Sequence, residues 1–229
     1  MLNTAETTVL IALVLCAIIQ LVYIVFVFGK LAIHRSHNYQ VRKSDLESVS
    51  VIIAARNELH NLKLNLDKIL NQKYAEFEVI VVNDGSSDGS KEWLDKKAGT
   101  DQNLRVIHRT SEQGSKKEAI SEGIQQAKFQ LLLFTDADCY PGSNEWIYYM
   151  TQQLRDNYLI TLGYGAYIKD TGFLNKLIRF DTVLIAMNYL SYTLSGLPYM
   201  GVGRNLAYKK ELWHSAKGFK SHKQIKSGD

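Results

Sequence analysis

The sequence predicts an α/β protein: an open, mostly parallel mixed sheet with helices on both faces, preceded by one N-terminal transmembrane helix. Three observations carry that prediction. Apolar runs of strand length alternate with helical patterns four times between residues 49 and 135. Three of those runs break off in clusters of polar residues. An uncharged apolar stretch occupies residues 8–28.

That stretch is about 20 residues long, which as a helix spans roughly the 30 Å of bilayer hydrocarbon. A cleaved signal peptide would need a basic leader, a shorter apolar core and a small-residue cleavage site. Here Glu6 precedes the run, no Lys or Arg does, and Phe28-Gly29-Lys30 is a poor cleavage context. The reading is therefore a retained, at least single-pass membrane helix. Lys30, His34, Arg35, Arg42 and Lys43 follow it, so the positive-inside rule places the C-terminal bulk of the chain, residues 48–229, on the cytoplasmic side. The expected divisions are a membrane helix at 1–29, a basic juxtamembrane linker at 30–47 and an α/β domain at 48–229.

Composition narrows the function classes. A chain of 229 residues, 46% hydrophobic, suits one domain with a full core and one extra element. Its two cysteines, Cys16 and Cys139, have no CxxC or Cys/His spacing, which argues against zinc and for a reducing compartment. The net charge of +4 comes from scattered and juxtamembrane basic residues. It fits anionic lipid better than nucleic acid.

Residues 49–53 read as the first strand, followed by a helix with Leu59, Leu62, Leu66, Ile69 and Leu70 on one face. Residues 78–82 form the second strand and 90–97 the next helix. Residues 104–107 form a short third strand, 116–127 a helix, and 130–135 the fourth strand. A helix is expected at 143–154 and a strand at 159–167. Residues 199–208 read as a glycine-rich turn running into a further strand, and Glu211 opens a short helix that ends at Gly218-Phe219. The apolar segment 170–200 is either a core helix or an amphipathic helix at a membrane surface. Arg179 and Asp181 argue against a second span.

Ligands of open parallel sheets bind at the carboxyl ends of the strands. The polar clusters fall there: Arg56-Asn57-Glu58, the run 83–90, and Asp136 with Asp138. Asp136 and Asp138 stand at i and i+2, so they project from one face and can converge on one ligand. Two such charges repel unless a cation or donor groups neutralise them. Hard cations such as Mg²⁺ bind one or two carboxylates together with substrate phosphates. The alternative is a polar loop leaving a strand. In Asn83-Asp84-Gly85-Ser86-Ser87-Asp88-Gly89-Ser90, Asp88 or Ser90 is expected to cap the next helix. Asp84 is then left to accept from a base N–H or a ribose hydroxyl. Gly114-Ser115-Lys116-Lys117 precedes a helix, where backbone N–H groups and an ammonium suit a phosphate. The alternative is a solvated charge pair.

These residues resemble a family 2 inverting glycosyltransferase with the GT-A fold. They are closest in style to the membrane-anchored members, including polysaccharide synthases and ceramide glucosyltransferase-like enzymes. The matching segments are 51–58 (VIIAARNE), 82–88 (VNDGSSD), 116–120 (KKEAI), 136–138 (DAD) and 203–208 (GRNLAY). The resemblance implies that Ala55, Arg56, Glu58 and Asp84 bind the nucleoside, usually uridine, and that Lys116 lies near the donor. It implies that Asp136 approaches the ribose, that Asp138 binds Mg²⁺ or Mn²⁺ on the diphosphate, and that Gly203 and Asn205 lie beside the acceptor and donor sugar. The family usually has proline where Ala54 or Ala55 stands and glycine where Ser115 stands. Its catalytic base comes from an acidic pair, which places Asp229, or the residue after it, as the base and implies that the chain continues.

The implied reaction is one displacement moving a sugar from a nucleotide-sugar, a UDP-sugar by resemblance, to a hydroxyl of a lipid or saccharide acceptor. A carboxylate takes the acceptor proton and the metal stabilises the leaving diphosphate. Two alternatives stand beside it: transfer to polyprenyl phosphate on the same fold, and a catalytically incomplete, membrane-anchored nucleotide-sugar-binding protein. A nucleotidyltransferase would need a glycine-rich loop after the first strand, and residues 54–61 contain no glycine.

Overall fold

The computed structural model describes residues 3–34, 46–110, 114–155 and 158–220. It forms two compact units: Met1–Asn38 with Ala166–Gly201, and Tyr39–Gly165 with Val202–Asp229. Residues 166–201 thus cluster with the N-terminal segment.

The larger unit is a six-stranded sheet in the order β3-β2-β1-β4-β6-β5. The strands β1 (Val49–Ala55), β2 (Phe77–Asp84), β3 (Leu104–Arg109) and β4 (Leu131–Phe134) run parallel. The strand β6 (Leu206–Lys209) is antiparallel to both β4 and β5 (Ile160–Leu162). Every residue of β2 and β4 is buried, as are all of β1 but Ala54. Strands covered on both faces lose the in–out alternation and read as continuous apolar runs. One face packs Val49, Val51 and Ile53 against Leu62, Leu66 and Ile69 of α3 (Leu59–Leu70) and Leu94 of α4 (Ser90–Ala98). The other packs Ile52, Ile80 and Val82 against Ala119, Ile120 and Ile124 of α5 (Lys116–Gln126).

At the amino end of the sheet a carboxylate is buried. Glu78 Oε1 accepts from Ser50 Oγ and from the Lys128 N–H, each at 2.7 Å, and Oε2 accepts from Arg105 at 3.1 Å. A buried charge is tolerated when it is hydrogen-bonded and paired in this way.

Two elements differ from expectation. The strand expected at 159–167 ends at Leu162. The Gly163 N–H donates to the Asn205 carbonyl at 2.9 Å, and the Asn205 side chain lies where a Cβ on Gly163 would stand. The helix expected at 143–154 is α6 (Trp146–Thr151) followed by a 3₁₀ turn, Gln152–Arg155. The last short helix is α8 (Lys210–Ser215).

In the smaller unit, α1 (Thr4–Tyr23), a π-helical stretch (Ile24–Phe28) and α2 (Gly29–Ile33) run on as one 30-residue helix. Among the described residues it alone is long and apolar enough to cross a membrane. Asn3 and Glu6 close a capping box at its start, with both bonds at 2.8 Å. The helix α7 (Phe173–Leu194) packs against the π stretch and α2.

The loops at the carboxyl ends of β1 and β2 are tied together. Asn57 sits at φ 56°; it donates its N–H to Ser86 Oγ and accepts the Ser87 N–H, at 2.9 and 2.8 Å. Asp88 caps two helices: it accepts the Leu59 N–H of α3 at 2.9 Å and, from Ser90 of α4, the N–H at 3.1 Å and Oγ at 2.6 Å. Burial pushes the Asp88 carboxyl up, but these hydrogen bonds together outweigh it and hold the carboxyl below its ordinary value. A lowered carboxyl contributes stability above its unfolded pKa and loses it as pH falls through the folded one. Asp88→Ala is therefore expected to cost about 1–2 kcal/mol in chemical denaturation at pH 7. The gap to wild type should narrow as pH falls below about 4.

Candidate active-site cleft

Because β1, β2 and β4 are buried along their lengths, their polar side chains can meet solvent only at the strand ends. There a cleft of about 420 Å³ opens, lined by residues 54–56, Glu58, Asp84, 114–116, Ala119 and 136–138. The seven residues expected to bind the donor, Ala55, Arg56, Glu58, Asp84, Lys116, Asp136 and Asp138, all line it. Four separate stretches of chain supply them.

Asp84, the last residue of β2, is almost fully buried. It is not left free as the sequence suggests. Its Oδ1 accepts from Arg109 at 2.7 Å and its Oδ2 from the Ser115 N–H at 2.5 Å. Arg109 also donates to Glu118 Oε2 at 2.6 Å. Ser115 is the N-cap of α5, accepting the Glu118 N–H. The anion at this helix start is thus Asp84 itself, where the sequence suggested a phosphate. Each carboxylate oxygen carries two lone pairs, so Asp84 retains capacity to accept from a ligand.

Lys116 turns to the other carboxylates: its Nζ lies 2.9 Å from Asp136 Oδ1. Gly114 brings its loop onto Arg56. It holds φ +67°, and a Cβ there would stand 1.8 Å from Arg56 Nη1. Glu58, at the start of α3, accepts from Asn61 Nδ2 at 2.6 Å.

Asp136, Asp138 and Cys139 offer ligand atoms all within 4.8 Å of one another. Asp138 is exposed and Asp136 half-buried. Burial pushes the Cys139 thiol up to about 12, with the Asp138 charge adding to it. Of the three, the two carboxylates are the hard oxygen donors. Paired carboxylate oxygens of this kind suit a hard divalent cation.

Two expected residues lie apart from the cleft lining. Gly203 and Asn205 form the 3₁₀ turn before β6. Asn205 Oδ1 accepts from Trp146 Nε1 at 2.9 Å and Nδ2 donates to the Tyr164 carbonyl at 3.0 Å. Its amide holds the turn to α6 and to the strand end at 163–164. Asp229, expected as the base, lies outside the described residues. A larger opening of about 1000 Å³ lies beside α5 and α8; it shares 114–116 with the cleft but has neither Asp136 nor Asp138 on its walls.

Sequence reasoning missed Arg109. The third strand was expected to stop at Ile107, which left Arg109 in a loop. It belongs to β3 and stands in register with Asp84. Extending the strand by two residues would have paired them.

The profile of glycosyl transferase family 2 matches residues 50–214. The chain is 37% identical over 106 residues to glycosyltransferase AglE of Haloferax volcanii, covering 45% of this chain and 34% of that protein. It is 28% identical over 130 residues to the poly-β-1,6-N-acetyl-D-glucosamine synthase of Staphylococcus epidermidis, covering 57% and 30%. It thus spans about a third of the length of these relatives. Among solved structures, the Pyrobaculum calidifontis mannosyltransferase PcManGT in complex with GDP-Man and Mn²⁺ superposes with TM-score 0.64 at 22% identity, over 88% of this chain and 55% of that one. S. aureus TarS residues 1–349 with UDP-GlcNAc gives TM-score 0.54 at 18% identity, over 74% and 47%. These likenesses establish the GT-A fold, and with a profile match over most of its length the chain belongs to glycosyl transferase family 2.

Proposed function

We propose that this chain carries the donor-binding and transfer domain of a membrane-anchored, metal-dependent inverting glycosyltransferase. It moves a sugar from a nucleoside diphosphate sugar, a UDP-sugar by preference, to a hydroxyl of a lipid or saccharide acceptor. The observation that carries this is the convergence of Asp84, Lys116, Asp136 and Asp138 on one cleft at the carboxyl edge of the sheet.

In this reading Asp84, held by Arg109 and the start of α5, accepts from the nucleobase, and Arg56 and Glu58 flank the nucleoside. Asp136 faces the ribose and Lys116 the diphosphate. Asp138, the more exposed carboxylate, holds Mg²⁺ or Mn²⁺. When bound, the cation neutralises charge on the leaving diphosphate. The cleft residues fix the donor so that its anomeric carbon is presented in one orientation, and positioning of this kind supplies much of the rate. Gly203 and Asn205 shape the acceptor side. Asp229, or its neighbour, takes the acceptor proton as general base. The complexes of the structural neighbours, one with GDP-Man and one with UDP-GlcNAc, support a nucleotide-sugar donor and make the nucleobase a point of test.

Calorimetry with UDP-, GDP- and dTDP-sugars in Mn²⁺ is expected to give tightest binding for a UDP-sugar; tighter binding of a GDP-sugar would reassign the nucleobase. Asp138→Asn should weaken Mn²⁺-dependent donor binding at least about tenfold, ~1.4 kcal/mol. Undiminished metal-dependent turnover in that variant would overturn the assignment. Arg109→Ala should release Asp84 and weaken UDP binding by about 1.5–3 kcal/mol, the range for hydrogen bonds to charged groups, without changing the Mn²⁺ dependence. Gly114→Ala places a methyl against Arg56 at a positive φ, and is expected to lower both donor affinity and melting temperature.

A further inference from the structure

We infer that α7 lies in the membrane interface, with one face immersed among anionic lipids beside the N-terminal helix. Phe173, Leu177, Phe180, Leu184 and Met187 recur at alternating spacings of four and three, so successive members fall close to one line on the helix. They are 81, 50, 60, 40 and 40% exposed. Of the buried positions, Thr182, Ala186 and Tyr189 fall about 180° around the helix from that line, whereas Ser191, one turn beyond Met187, lies on the line and ends the exposed stripe there. A helix packed on one side normally turns its polar side to water. Here the outward side is the apolar one, and a contiguous exposed apolar stripe marks a contact surface.

Three further features point to lipid as the occupant. The helix packs against the π stretch and α2 of the one span-length helix among the described residues, so its stripe belongs to the same compact unit as the apolar surface of α1. The hydroxyls of Tyr23 and Tyr192 are hydrogen-bonded, and Tyr192 packs edge-on against Tyr199 with centroids 5.3 Å apart. Tyrosines gather in this way at the headgroup level of a bilayer. Lys176 and Arg179 flank the stripe on one side, where long basic side chains reach anionic headgroups. Arg179 and Asp181 within the helix disfavour a full crossing and suit an interfacial helix.

This inference rests on the membrane-anchored reading above, and its test separates the two. The full chain, with Cys16 and Cys139 replaced by serine, is reconstituted in vesicles of phosphatidylcholine and phosphatidylglycerol. An environment-sensitive fluorophore is attached in turn at Phe180→Cys and Leu184→Cys on α7, at Leu13→Cys on α1, and at Lys91→Cys on α4. Spin-labelled lipids are then used as quenchers. The expected result is several-fold stronger quenching at both α7 positions than at Lys91→Cys, with Leu13→Cys quenched as well. Quenching at α7 no greater than at Lys91→Cys, with Leu13→Cys quenched, overturns the inference and leaves the anchor standing. Lipid-protected α7 positions that cross-link between copies overturn it in favour of a second copy of the chain. Loss of quenching at Leu13→Cys and at α7 together overturns both readings. Quenching at α7 without Leu13→Cys supports the interfacial helix and overturns the anchor.

Discussion

Burial of β1, β2 and β4 on both faces is the constraint on which the rest of the larger unit depends. A parallel sheet sandwiched between helices has no solvated face on which to place polar side chains, so chemistry is confined to its carboxyl edge. That confinement concentrates Asp84, Asp136 and Asp138 in one small cleft. Carboxylates crowded in this way need compensation. Arg109 and the start of α5 supply it for Asp84, and Lys116 supplies it for Asp136. Asp138 has no ion pair of that kind among the described residues, and it is the one assigned to a metal.

The loops around the cleft are held by backbone-directed contacts. Asn57 and Asp88 join the β1 and β2 loops, and α3 and α4 start from the same carboxylate. Arg56 and Glu58 follow β1 and Asp84 ends β2, so all three stand beside this tie. A cleft with tethered walls is organised before any ligand arrives, and less ordering is left to oppose binding.

The parallel strands and the polar clusters at their carboxyl ends were legible in the sequence because they rest on short-range patterns. Continuous apolar runs mark strands buried on both faces, and polar clusters mark where they end. Side-chain partnerships across elements were not legible. Asp84 looked available because nothing local announces that Arg109, on a neighbouring strand, would stand beside it. The 159–167 strand looked longer because its alternation continues past Leu162, while Asn205, some forty residues on, ends it by occupying the space over Gly163. The segment 170–200 was ambiguous for a different reason: core and lipid both select apolar residues, so composition alone does not separate the two.

The Glu78 clasp at the far end of the sheet has a consequence for the cleft. Ser50 and Glu78 stand opposite one another in the β1–β2 register, and their side chains are joined. Sliding β2 by one residue would turn this carboxylate to the opposite face of the sheet, away from Ser50 and Arg105 and into hydrocarbon. Asp84 lies six residues further along the same strand, about 20 Å away. The clasp therefore acts as an indexing pin: it sets which residue of β2 emerges at the carboxyl edge, and so aligns the wall of the cleft from the opposite end of the sheet.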